Sequence, residues 1–141
     1  MGAWTLASFE VRRSDGETIY PFGPDAKGLL IYDAQGNFSV QVGEAGRPEF
    51  TSGDMRDGTD AQVRAACEGY IAYYGTYRVN AEQGYLVHEV RLSLFPNWSG
   101  QVQKRYYDLS ADRLTLTTPP TPFGEAEVVG VLTWKRVDGP R

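Results

Sequence analysis

The chain contains one cysteine, Cys67, and one histidine, His88. A single thiol excludes an intramolecular disulfide, and nothing resembling a metal-binding cysteine spacing occurs. One His, one Cys and scattered carboxylates do not make a ligand set, so no metal or other cofactor is expected. No apolar run approaches the roughly 20 residues of a membrane helix. The start, Met1-Gly2-Ala3-Trp4-Thr5, lacks the basic-then-apolar order of a secretory signal. The expectation is a cytoplasmic protein with no membrane partner. Net charge is only −4 and both signs are interspersed, which argues against nucleic acid. Gly-x-Ser-x-Gly and phosphate-loop motifs are also missing.

Aromatics and glycine are plentiful: nine Tyr, six Phe, three Trp and sixteen Gly in 141 residues. Such a chain suits many short strands joined by tight turns, folded as one domain over residues 1–141. Ala3 to Arg12 alternates as a first strand, with Trp4, Leu6, Ser8 and Glu10 on one face. Thr18 to Phe22 suits an edge because of Pro21. Gly28 to Tyr32 and Phe38 to Val42 form a hairpin through Asp33-Ala34-Gln35-Gly36-Asn37. Leu30, Tyr32, Phe38, Val40 and Val42 share one face of it. Leu29, Ile31, Ser39 and Gln41 share the other, and the polar pair makes this second face the candidate interior. The alternative is that Ser39 and Gln41 face water.

Thr59 to Tyr74 is expected to be the one helix, opened by a Thr59/Gln62 capping box and weakened at Gly69. Val63, Ala66, Cys67, Tyr70 and Tyr74 form its packing stripe, with Cys67 a small buried hydrophobe. Thr76 to Val79 begins a strand. Leu86 to Leu94 alternates as another, with Leu86, His88, Val90, Leu92 and Leu94 on its apolar face. Phe95-Pro96-Asn97-Trp98-Ser99-Gly100 breaks it, and the next strand carries Gln103 and Arg105. Leu114 to Thr118 is a strand halted by Pro119-Pro120-Thr121-Pro122. Glu127 to Val137 is the last strand, and Asp138 to Arg141 reads as a frayed tail.

Eight to ten short antiparallel strands, one helix and no βαβ rhythm point to an all-β fold. A single closed up-and-down β-barrel removes exposed edges, and the helix would cap one end. A β-sandwich is the rival. A barrel of this size holds one small ligand.

Gly2-Ala3-Trp4-Thr5-Leu6, Tyr20-Pro21-Phe22-Gly23, Gly28 to Tyr32, Gly36 to Gln41, Tyr70 to Tyr77, His88 with Ser93 to Gly100, Leu114 to Pro119 and Trp134-Lys135-Arg136 together resemble the bacterial lipocalin-like domain family, small barrels of the calycin type. The resemblance implies a calycin barrel in which Arg136 stacks on Trp4 at the closed end. It supplies no reaction, because such folds host carriers and enzymes alike.

The expected function is binding of a small apolar or amphipathic molecule in the barrel. The candidate ligand-binding residues are Ser39, Gln41, Tyr73, Tyr77, Val90, Leu92, Trp98, Gln103 and Arg105. The alternative is a cofactor-independent cyclase, isomerase or dehydratase acting on a polyketide- or terpene-like metabolite, with His88 as acid/base. The other readings are His88 as a hydrogen-bonded core residue, the commoner role of a lone His on an apolar face, and Arg105 as a surface residue. A homodimer is left open.

Overall fold

Side chains and glycines at the strand ends fold this chain into hairpins. The Asp33 carboxylate accepts hydrogen bonds from the backbone N–H groups of Gln35 (2.9 Å) and Asn37 (2.8 Å) and from Asn37 Nδ2 (2.9 Å). These bonds, that from the Asn37 side chain first, hold its carboxyl below the usual carboxylate range. Gly36 completes the turn at φ 91°, a conformation that costs glycine little.

The computed structural model describes residues 1–123 and 126–137. The elements are β1 (Gly2–Arg13), β2 (Thr18–Ile19), β3 (Lys27–Tyr32), β4 (Asn37–Gly43), α1 (Asp60–Glu68), β5 (Tyr70–Asn80), β6 (Tyr85–Ser93), a 3-10 turn (Pro96–Trp98), β7 (Val102–Ser110), β8 (Arg113–Thr117), β9 (Thr121–Phe123) and β10 (Ala126–Arg136). Sequential antiparallel pairing runs from β1 through β3, β4, β5, β6, β7 and β8 to β10, and β10 pairs back with β1. That makes a closed barrel of eight strands. β2 and β9 are short additions on β1 and β10. Pro122 falls in β9, an edge position where its missing N–H does least harm. Among the described residues no helix is long and apolar enough to cross a membrane. The tail from Asp138 to Arg141 lies outside the described residues.

Two β-bulges decide what faces the lumen. In β1 the register slips between Leu6 and Ser8 against β10. Trp4 and Leu6 face inward before the slip, and Phe9 and Val11 after it. Strict alternation would have placed Ser8 and Glu10 on the Trp4 face, because a one-residue slip exchanges the faces. In β6, Val90 pairs with Gly75 while Leu92 pairs with Tyr74, leaving Arg91 as the extra residue. Leu92 is thereby turned out and is 58% exposed.

The closed end is sealed by Trp4, Leu30, Leu114 and Trp134, all buried. The Arg136 guanidinium lies over the Trp4 ring, 4.2 Å from its centroid, and its Nη1 donates to the Met1 carbonyl at 3.2 Å. Stacking of this kind contributes roughly 0.5–2 kcal/mol. The expected Trp4–Arg136 pair is therefore present.

α1 is shorter than its pattern suggested. The Thr59 hydroxyl accepts from Gln62 N–H (3.2 Å) and Gln62 Oε1 accepts from Thr59 N–H (3.0 Å), so the capping box forms. The helix ends at Glu68, and Tyr70 to Tyr74 belong to β5. The β-prone run Tyr70-Ile71-Ala72-Tyr73-Tyr74 pairs with β4 instead, Ile71 opposite Val42 and Tyr73 opposite Val40. No residue of α1 is buried, and Cys67 is exposed, contrary to the expected packing stripe.

Candidate functional site

The candidate site is the half of the barrel away from Trp4. The inward side chains of β4, Phe38, Val40 and Val42, are buried, as are Leu30 and Tyr32 on β3. This corrects the expectation for Ser39 and Gln41. They lie on the outer wall, where Gln41 is exposed and Oε1 accepts from the Tyr70 hydroxyl at 2.9 Å. The apolar face of the hairpin went inside because burying three β-branched or aromatic side chains outweighs any polar contact Ser39 and Gln41 could make. Leu92 is the third correction, displaced outward by the β6 bulge.

A cavity of about 620 Å³ opens within this half. Phe9, Val11, Val42, Ile71, Val128 and Leu132 supply apolar wall, and Phe22 reaches over from the segment after β2. Phe22 meets Phe9 edge-on, with ring centroids 5.4 Å apart. Glu68, at the end of α1, is the one residue of that helix bordering the cavity. Polar groups concentrate on β7 and just before it: Gln101, Gln103 and Arg105. Of the residues expected from sequence, Tyr73, Trp98, Gln103 and Arg105 border this space. Val90 and Tyr77 point inward but lie outside its lining, as does His88.

Four aromatic rings connect the rim to the floor. Trp98, set on the 3-10 turn, meets Tyr73 at 5.4 Å, and Tyr73 meets Phe38 at 5.6 Å, both edge-on. Phe38 stacks flat on His88 at 4.1 Å, with 14° between the planes. His88 is 1% exposed. Its Nε2 is 2.7 Å from the Tyr32 hydroxyl, and its Nδ1 has no partner among the described residues. Burial, with a smaller contribution from the Arg105 charge, lowers its pKa to about 3. The ring is therefore neutral near pH 7. Burial likewise pushes the Tyr32 phenol well above its ordinary value. The pair forms a neutral, hydrogen-bonded floor beneath the cavity. Tyr77 packs edge-on against Tyr32 at 4.6 Å and donates to the Asp33 carbonyl at 2.8 Å.

Arg105 is half-buried beside this floor. It pairs across the sheet with the inward residue Leu86, so it shares the inner face of β7 with Gln103. Its Nη2 donates to Gln103 Oε1 at 2.8 Å and its Nη1 to the Lys104 carbonyl at 2.9 Å. The arrangement offers an apolar chamber with one clustered set of polar donors and acceptors. Among the described residues no three His, Cys, Asp or Glu side chains come together as a metal site.

Sequence reasoning missed most of the apolar wall. Phe9 and Val11 were hidden by the β1 bulge and Ile71 by its assignment to a helix. Val40 and Val42 were hidden by the choice of the polar face. Their β-branched, apolar character was the available signal.

One curated relative is the 4'-hydroxy-3'-methoxypropiophenone carrier protein of Aspergillus oryzae. It is 32% identical over 107 residues, which span 70% of this chain and 96% of the relative. That relative is fungal, so the bacterial part of the resemblance is not carried by it. The family description "lipocalin-like domain" matches residues 1–137. Matching nearly end to end, with the closed barrel and the Trp4–Arg136 stack in place, this chain belongs to the lipocalin-like domain family.

Proposed function

We propose that this protein binds and carries a small, mostly apolar aromatic molecule, of the aryl ketone kind named for its Aspergillus oryzae relative, inside the barrel. The observation that carries the reading is the cavity of about 620 Å³, walled largely by apolar side chains with polar groups concentrated on and just before β7. Its size falls within the roughly 300–1,000 Å³ of sites for molecules of this class, and so does its mix of wall and anchor. No observation favours catalysis to the same degree. His88 is neutral and packed behind Phe38, and it does not border the space a substrate would fill.

Trp98 provides the test, because it borders the cavity while Trp4 and Trp134 are buried in the closed end. Titration with 4'-hydroxy-3'-methoxypropiophenone quenches tryptophan emission saturably at one ligand per chain, and Trp98→Phe removes the change. Quenching that stays linear in ligand, or that survives Trp98→Phe, would count against the lumen as the site.

A further inference from the structure

Arg105 places a half-buried guanidinium on the inner face of β7, beside a chamber whose wall is mostly apolar. A guanidinium has five N–H donors, and two contacts, to Gln103 and to the Lys104 carbonyl, use two of them. None of the ion pairs among the described residues includes Arg105. A half-buried guanidinium with donors to spare is suited to meeting an anion. Among the described residues, the groups around it do not supply one. His88 on β6 is neutral, and Tyr32 on β3 and Tyr77 on β5 are held in their protonated phenol forms. Tyr73 on β5 borders the same cavity. Lys104, its neighbour on β7, is exposed and lies over the rings of Tyr85 and Tyr106. Glu68 is at the mouth, where it accepts from Arg64 at 2.7 Å.

The Gln103 contact fixes the guanidinium plane. Gln103 is 8% exposed, and its Oε1 holds Nη2 from the side. What is left is a positioned fork with spare donors, suited to two-point recognition of an anionic oxygen. Arg105 already acts electrostatically on this floor, since its charge disfavours protonation of His88.

Resting on the reading that the lumen binds a small aromatic molecule, we propose that Arg105 selects ligands with an acidic oxygen. It seats that oxygen as the anion, phenolate or carboxylate, with Gln103 as its positioning residue. On binding, a phenol of this kind gives its proton to solvent at a lower pH than it does in water.

The probe is 4'-hydroxy-3'-methoxypropiophenone, whose phenolate absorbs at longer wavelength than its phenol, compared with its 4'-O-methyl ether, which cannot ionise. The phenol is expected to bind the unaltered protein about tenfold more tightly than the ether at pH 8, the size expected of a charge-assisted contact. The phenolate band of bound ligand is expected to appear about one pH unit below that of free ligand. Arg105→Met abolishes both differences, and Arg105→Lys restores the charge effect in part. Equal binding of phenol and ether with no band shift overturns the assignment of Arg105 and leaves the cavity reading standing. The same holds if neither enters while an uncharged apolar dye does. If the dye also stays out, both readings fall. The comparison of the two ligands needs no variant, so a poorly folding Arg105→Met does not weaken it.

Discussion

The hydroxyl of Tyr32 lies 2.7 Å from Nε2 of His88, and this contact closes the floor of the barrel. It joins β3 to β6 across the lumen, between strands that are not neighbours in the sheet. Phe38 covers the imidazole from one side. His88 is thus a packed, hydrogen-bonded residue. His88→Ala would leave a void under Phe38 and strip Tyr32 of its partner. The expected cost is about 2–4 kcal/mol of stability, measured by urea denaturation. Ligand affinity of the folded variant is expected to change by less than about threefold, a factor worth about 0.65 kcal/mol. A larger loss of affinity at unchanged stability would return His88 to the binding site.

The same burial makes stability depend on pH. His88 has a pKa of about 3 in the folded protein, against about 6.5 in an unfolded chain. Between those values the unfolded chain takes up the proton first, so the folded state loses stability as pH falls. The maximal slope is about 1.4 kcal/mol per pH unit. Asp15 and Asp33 have lowered carboxyl pKa values, so their contribution is lost only as pH falls below the usual carboxylate range. The interval from about pH 6 to pH 4.5 therefore isolates the histidine. Denaturation midpoints of the unaltered protein should decline over that interval, and those of His88→Phe should stay nearly level.

Gly75 is the residue on which the β6 bulge rests. A Cβ added there would come 1.9 Å from the Glu89 carbonyl oxygen and 3.0 Å from the Arg91 nitrogen, both backbone atoms. Neither can move without opening the β5–β6 ladder. Gly75→Ala is expected to cost about 3 kcal/mol or more, or to abolish folding, as followed by circular dichroism on heating. Gly84→Ala is the contrasting variant. It has open space around the added atom and bears only the strain of φ 73°, so it should cost about 1 kcal/mol.

Much of the barrel is legible in the sequence because turn residues and period-two alternation are local. The Asp33-to-Asn37 turn, the β3–β4 hairpin and the short edge piece before Pro21 all follow from such signals, whereas β9 lies in the proline run read only as a stop. The two bulges do not. Nothing local to Leu6-Ala7-Ser8 or Val90-Arg91-Leu92 announces an extra residue; each is set by the partner strand and by closure of the barrel. Every assignment beyond a bulge therefore changed face: Ser8 and Glu10 gave way to Phe9 and Val11, and Leu92 turned outward. The β3–β4 hairpin failed for another reason. Its faces were read correctly as sets, but alternation alone cannot say which set meets the lumen, and the more apolar one did. For Gln103 and Arg105 the sequence left the inward face open; β7 pairs with β6 without a slip, and both residues lie on its inner face.

The most direct test is calorimetric titration of the unaltered protein and of Ile71→Trp with 4'-hydroxy-3'-methoxypropiophenone. Ile71 is half-buried and borders the cavity, so an indole there occupies ligand space without disturbing the closed end. One ligand per chain is expected for the unaltered protein, and no measurable binding for a folded Ile71→Trp. Undiminished binding by that variant would contradict a ligand held in the lumen.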